Sequence, residues 1–254
     1  MNLSFLFDGG VKEYDKFRPN YPEELFEDII KYSKIDEESA LLEIGCGTGQ
    51  ATKSFLDRNF NVLAVEMGEN LANFVKKKFK NYPNFLVTNQ DYMSFELKEN
   101  ICDLVFAATS FHWLPKEMAL SKIKSELKVG GTLAVFCNHP YPNRLDDETN
   151  VKNREVYAKH RGEKVLKEFS LEDTESFTAD LKKAGFINVT SKIYKRVRTL
   201  STEEYIGLIK TYSDHMALSK KEQKAFENDM RKAVNSVGGK INIYDTIDLY
   251  LAKK

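Results

Sequence analysis

The sequence has no stretch of about eighteen apolar residues, and Met1 to Gly10 carries no basic segment followed by an apolar core. Neither a membrane span nor a leader is expected, and the chain reads as cytoplasmic. Cysteine is scarce. Cys46, Cys102 and Cys137 are odd in number, lack C-x-x-C spacing and sit in or beside apolar runs. That pattern argues against a disulfide framework and for free thiols in a reducing compartment. His112, His139, His160 and His215 show no metal-ligand spacing with one another or with the cysteines, so no metal is expected. An excess of charge of either sign is also missing, since 38 basic residues balance 38 acidic ones. No global field draws the chain to nucleic acid or to an anionic membrane, and neither partner is expected. The local basic strings, Lys76-Lys77-Lys78 and Lys192, Lys195, Arg196, Arg198, read as solvated faces of a helix and a strand.

What is present is an ordinary globular composition, 42% hydrophobic and 30% charged over 254 residues, enough for one α/β domain with insertions. Its most informative stretch is Leu41-Leu42-Glu43-Ile44-Gly45-Cys46-Gly47-Thr48-Gly49, where a short apolar strand runs into three glycines spaced two apart. Glycine tolerates positive φ and lets the backbone approach a ligand that a Cβ would repel. The dinucleotide fingerprint G-x-G-x-x-G would place its third glycine at position 50, which is Gln50, and this weakens an NAD reading. A second apolar run, Asn61 to Val65, ends in Glu66. A carboxylate there can accept both hydroxyls of a ribose, although that alone does not separate NAD from other nucleosides.

Apolar runs alternate with helical patterns, the signature of a parallel sheet wound with helices. Strands are expected at 41–45, 61–66, 84–88, 101–108 and 131–137, with helices at 22–33, 49–58, 69–80 and 116–127. The last of these is expected to end on Lys128-Val129-Gly130-Gly131, as a basic last turn and a glycine cap. Residues 139–171 are polar, with helix expected around 153–169. A helix at 173–184 stopped by Gly185, a strand at 187–197, helices at 202–211 and 220–235, and a final alternating strand at 241–251 complete the reading.

The glycine turn, with Glu43 before it and Glu66 after the next strand, resembles motif I and the acidic strand end of class I S-adenosylmethionine-dependent methyltransferases. The resemblance implies a Rossmann-like, seven-stranded doubly wound sheet in the order 3-2-1-4-5-7-6, with strand 7 antiparallel. It implies one domain over 1–254, with a core at about 36–138, 172–198 and 240–254. A helical lid from about 1–35, 139–171 and 199–239 would cover the carboxyl ends of the strands. Asn89-Gln90-Asp91-Tyr92 looks like the segment in which an aspartate accepts from the adenine amino group and the next backbone N–H meets the ring, although aspartate also favours turns unaided. Ala107-Ala108-Thr109-Ser110-Phe111-His112-Trp113 resembles the small-residue strand end and His-Trp pair of small-molecule methyltransferases. With Tyr14-x-x-x-Arg18-Pro19-x-Tyr21-Pro22, the likeness narrows to the trans-aconitate methyltransferase-like group. By position it implies S-adenosyl-L-methionine as cofactor, bound by Tyr14, Arg18, Glu43, Gly45, Cys46, Gly47, Glu66, Met67, Asp91, Tyr92, Ala107 and Trp113, with Arg18 facing the cofactor's carboxylate.

The activity implied is O-methylation of a small carboxylic acid by a monomer or homodimer. His112 is the candidate general base, a role an already ionised carboxylate would not need. Acceptor contacts are expected among Tyr141, Arg144, Tyr157, Arg161, Tyr212 and His215. Alternatives are a nucleic-acid or protein methyltransferase and a non-catalytic S-adenosylmethionine-binding module. Amino-directed nucleic-acid enzymes place an [Asn/Asp/Ser]-Pro-Pro-[Tyr/Phe] motif after the fourth strand. Here that place holds Thr109-Ser110-Phe111-His112, and the similar Asn138-His139-Pro140-Tyr141 follows the fifth.

Overall fold

The computed structural model describes residues 10–162 and 166–254, so the parts of the expected lid at 1–9 and 163–165 lie outside the described residues. Its strands are β1 (Ala40–Ile44), β2 (Asn61–Glu66), β3 (Phe85–Asn89), β4 (Cys102–Ala108), β5 (Leu127–Tyr141), β6 (Ile187–Ser201) and β7 (Lys240–Lys253). They form one sheet in the order β3-β2-β1-β4-β5-β7-β6, parallel from β3 through β5 and with β7 antiparallel, as expected. The central strands bury both faces. Leu41, Leu104 and Phe106 enter one apolar cluster, while their neighbours Leu42, Val105 and Ala107 enter another.

The chain divides into two compact units. The larger comprises 19–138, 170–194 and 247–254 and holds both of those clusters. Its helices are α2 (Glu23–Ser33), α3 (Thr52–Leu56), α4 (Glu69–Lys78), α5 (Lys116–Glu126) and α7 (Glu175–Lys183). The described part of the smaller unit is 10–18, 139–162, 166–169 and 195–246. It contains α1 (Val11–Phe17), α6 (Glu148–Arg161), α8 (Thr202–Lys210), α9 (Ser213–Met216) and α10 (Lys220–Asn235) around its own core of Tyr205, Ile209, Phe226 and Met230. The helix expected at 22–33 lies in the larger unit, where Leu25, Phe26 and Ile29 are fully buried.

Several expected boundaries move, each for a local reason. The helix expected at 49–58 shrinks to Thr52–Leu56, because Gly49 at φ 84° belongs to the preceding turn. Gly130-Gly131 does not cap α5: that helix ends at Glu126, its C-cap Leu127 is extended, and the glycines lie within a longer β5. A Cβ at Gly131 would lie 3.0 Å from the Cys102 carbonyl oxygen, so glycine there permits a close strand approach. The helix expected around 153–169 begins at Glu148, because Asp147 accepts from the N–H groups of Thr149 and Asn150, and it ends before Gly162 at φ 79°. α1 and α9 are additional, short helices without side-chain caps.

Within the smaller unit α1 crosses α8 at Gly207, where an added methyl would come within 2.4 Å of the Phe17 ring. Helix propensity alone favours alanine over glycine by about 1 kcal/mol, whereas overpacking costs about 1–3 kcal/mol. Gly207→Ala is expected to lower the thermal midpoint, and Phe17→Leu combined with it to recover part of the loss. A higher midpoint for Gly207→Ala alone would show that the two helices do not meet there.

Candidate functional site

The order 3-2-1-4 makes the carboxyl ends of β1 and β4 the switch point of the sheet, where open α/β folds leave a crevice. The glycine turn leaves β1 at this place. Gly45, Gly47 and Gly49 all have positive φ, at 68°, 57° and 84°. A Cβ on Gly45 would sit 2.8 Å from Ser110 Cβ, and one on Gly49 would sit 2.4 Å from the Phe79 ring, so both glycines are demanded by space as well as by φ. Lys78 Nζ donates to the Thr48 carbonyl at 2.8 Å and fastens the turn to the end of α4.

Two carboxyl groups flank this turn in different surroundings. Glu66, buried at the end of β2, accepts from the Gly47 N–H at 2.8 Å and the Gly68 N–H at 2.9 Å. Glu43, wholly buried in β1, accepts from the Thr52 hydroxyl at 2.6 Å through Oε2, while Oε1 is buried without a hydrogen-bond partner. Burial pushes Glu43 up to about 8, against the Thr52 hydrogen bond and helped by the charge of Glu66. Cys46, also buried, has its thiol held up by burial and by Glu43 and Glu66, so it is no nucleophile.

Asp91 accepts from the Met93 N–H at 2.9 Å and is exposed, forming an aspartate turn after β3. Tyr92 is buried in the core with its hydroxyl on Glu126 at 2.6 Å, which leaves only its backbone for any ligand. Met67 is half-buried, and Ala107 is fully buried with its side chain in the core. Phe111–Trp113 form a short 3-10 turn in which His112 and Trp113 are exposed, their rings 4.9 Å apart.

Sequence reasoning gave no role to Thr109. Its φ is 54°, uncommon for a β-branched residue, and three bonds hold it there. Its N–H donates to the Phe136 carbonyl at 2.8 Å, and its hydroxyl meets the Tyr21 hydroxyl at 2.6 Å and the Asn138 N–H at 3.3 Å. A positive φ at threonine has no sequence signature, but Tyr21 stood within the aromatic segment already singled out.

The remaining expected residues lie in the smaller unit. Arg18 donates to the Thr211 carbonyl at 2.6 Å, with its guanidinium 4.9 Å from the ring centres of both Tyr14 and Tyr212. Arg144 stacks on Tyr244 at 3.9 Å, and His139 stacks on Phe169 at the same centroid separation. His215 is buried between Arg161 and Glu227 and is held neutral mainly by burial, against the pull of Glu227. It lines a cavity of about 440 Å³ with Tyr14, Lys210 and Thr211.

The state of Glu43 has a measurable consequence. With a folded value near 8 against an ordinary 4.5, the folded chain keeps a proton that the unfolded chain has lost, so this residue's contribution to stability falls as pH rises from 4.5 to 8. Relative to wild type, ligand-free Glu43→Gln is expected to gain stability progressively between pH 5 and pH 8 in urea titrations. A constant difference across that range would mean that Glu43 is ionised throughout.

Residues 20–144 match the family model of ribosomal RNA adenine dimethylase. An uncharacterised methyltransferase of Schizosaccharomyces pombe is 31% identical over 52% of this chain and 52% of its own length. The ribosomal RNA small subunit methyltransferase A of Clostridium botulinum is 30% identical over 51% and 48%. The chain thus spans about half the length of the curated relatives it matches. Among solved structures, a candidate type II methyltransferase of Anaeromyxobacter dehalogenans aligns with a TM-score of 0.66 at 17% identity, over 93% of this chain and 98% of that one. Haemonchus contortus phosphoethanolamine N-methyltransferase 2, in complex with phosphomonomethylethanolamine and S-adenosylhomocysteine, aligns with a TM-score of 0.56 at 16% identity, over 97% and 57%. Strand order, the antiparallel seventh strand and these likenesses together give the chain the fold of the class I S-adenosylmethionine-dependent methyltransferases.

Proposed function

We propose that this protein is an S-adenosylmethionine-dependent methyltransferase acting on a small molecule, with a carboxylic acid as acceptor and a methyl ester as product. The observation that carries the cofactor reading is the paired state of Glu43 and Glu66 around the glycine turn. Glu66 is held by two backbone N–H groups, so its carboxylate is oriented before any ribose arrives. The uncommitted Oε1 of buried Glu43, and the space kept open by Gly45 and Gly47, fit the cofactor's remaining polar groups. Asp91 and the Tyr92 N–H would take the adenine, with Met67 and Trp113 beside it and Ala107 and Cys46 forming the floor of the site.

The cofactor supplies a methyl group on sulfur that is already activated for displacement. A carboxylate oxygen of the acceptor forms the new C–O bond as the C–S bond breaks and its electron pair stays on sulfur; no proton moves. The chain's own contribution is then alignment and exclusion of water, and His112 is not required as a base. The small-molecule reading is supported by Thr109-Ser110-Phe111-His112 standing where amino-directed nucleic-acid enzymes carry their base-gripping motif, and by the balanced charge. Assignment to a trans-aconitate methyltransferase-like acceptor rests on the Tyr14 to Pro22 pattern.

The likeness to ribosomal RNA methyltransferases favours a second reading, methylation of an RNA base. The family match covers residues 20–144, however, and leaves 1–19 and 145–254 unmatched. In addition, Asn138-His139-Pro140-Tyr141, the nearest approach to a base-gripping motif, is paired strand at the end of β5.

Incubation with methyl-labelled cofactor, a panel of small carboxylic acids and small-subunit ribosomal RNA separates the two readings. Base-labile label on an acid is expected, with a rate flat between pH 6 and pH 8 and retained in His112→Ala; label in RNA would establish the second reading. Glu66→Ala is expected to weaken cofactor binding by about a hundredfold to ten-thousandfold, from two charge-assisted hydrogen bonds at about 1.5–3 kcal/mol each. Undiminished binding by that variant would overturn the ribose assignment.

A further inference from the structure

A β-branched residue in the left-handed region stands at the switch point of the sheet, and one distant hydroxyl takes part in holding it there. Thr109 follows β4 at φ 54°, a conformation that such a side chain keeps only when its surroundings impose it. Its N–H donates to the Phe136 carbonyl at 2.8 Å, and its Oγ1 accepts from the Asn138 N–H at 3.3 Å. Both of these partners belong to β5. The third and shortest contact, 2.6 Å from Oγ1 to the Tyr21 hydroxyl, is the one that comes from outside the sheet. Tyr21 lies just before α2, with its ring edge-on to Phe136 at 4.8 Å and to Phe26 at 6.4 Å, so packing fixes the ring independently of its hydroxyl. The residue after Thr109 meets the glycine turn. Ser110 Oγ donates at 2.5 Å to the carbonyl of Ile44, the last residue of β1, and a Cβ on Gly45 would sit 2.8 Å from Ser110 Cβ. Ser110 also opens the 3-10 turn that carries His112 and Trp113. All of these residues belong to the larger unit.

We propose that Tyr21 is a positioning residue for the cofactor site, its hydroxyl holding Thr109 in the left-handed conformation so that Ser110 is set against the end of β1 and the first glycine of the turn. This rests on the reading of that turn as the place of S-adenosylmethionine. A change of φ at Thr109 redirects the peptide that follows it, and with it the Ser110 hydroxyl that fastens the Ile44 carbonyl. The entry to the glycine turn would then lose one of its fixed points. A turn held in its binding geometry beforehand need not be ordered when the ligand arrives, and that ordering is a cost of association. Strain at Thr109 is tolerated because the hydroxyl, the two β5 groups and the packed Tyr21 ring together over-determine it. Glycine would take the same φ with no such support, and this difference makes the proposal testable.

The test pairs amide hydrogen exchange of the ligand-free full chain with calorimetric titration of S-adenosylmethionine and its demethylated product. It compares wild type, Tyr21→Phe, Thr109→Ala, Thr109→Gly and Tyr21→Phe combined with Thr109→Gly. Tyr21→Phe keeps the packed ring and removes one hydroxyl, so the fold is spared. Alanine and glycine both lack the threonine hydroxyl and differ in their tolerance of positive φ. Tyr21→Phe and Thr109→Ala are expected to speed exchange over residues 45–49 and to weaken both ligands about threefold to tenfold, the range that one neutral hydrogen bond is worth. Thr109→Gly is expected to stay within about twofold of wild type, and Tyr21→Phe to change nothing further in that background. Unaltered exchange in Tyr21→Phe, or equal affinities for the alanine and glycine variants, would overturn the proposal. Faster exchange with wild-type affinity would overturn it as well, since Tyr21 would then support the fold and not the site. A wild type that binds neither ligand, with exchange still quickened by Tyr21→Phe and restored by Thr109→Gly, would retain the hold of Tyr21 on the turn and remove the cofactor reading instead.

Discussion

The hydrogen bonds from the Gly47 and Gly68 N–H groups to the Glu66 carboxylate are the constraint on which the rest of the site depends. They tie the end of β2 to the turn after β1 on one side and to the start of α4 on the other. Lys78, at the far end of α4, closes the ring by donating to the Thr48 carbonyl. Helix, strand end and turn are thereby fixed to one another without a ligand, and the positive φ angles of the turn are held in place. Burial is what chiefly raises the pKa of Glu43, against the hydrogen bond from Thr52, and the nearby Glu66 adds to the rise.

The two units carry different kinds of information. The turn, Glu66, Asp91 and Thr109 all belong to the larger unit, and residues 20–144, which match the ribosomal RNA adenine dimethylase model, fall mainly in it. The smaller unit is built differently, with a helical core around Phe226 and with arginines set against aromatic rings and single acids. Within the smaller unit, the described residues beyond 144 lie outside that likeness.

Much of the larger unit could be read from residues because its signals are local. Short continuous apolar runs placed β1 through β4 within a residue or so, and the full strand order came from the family resemblance. Signals that depend on distant partners were invisible. Gly130-Gly131 looked like a helix cap and instead lies in β5, because the extended Leu127 ended the helix before the glycines were reached. The strain at Thr109 needs the Tyr21 hydroxyl and the Phe136 carbonyl, which are distant in sequence. Arg196 and Arg198 read as surface charges because Asp245, nearly fifty residues on, is what draws them inward.

The turn around Glu66 is proposed as the binding place of S-adenosylmethionine. Calorimetric titration of the wild-type chain with S-adenosylmethionine, its demethylated product and NAD, each alone, tests it most directly. Micromolar binding of the first two with none for NAD is the result predicted. Binding of NAD, or of none of the three, would contradict the assignment.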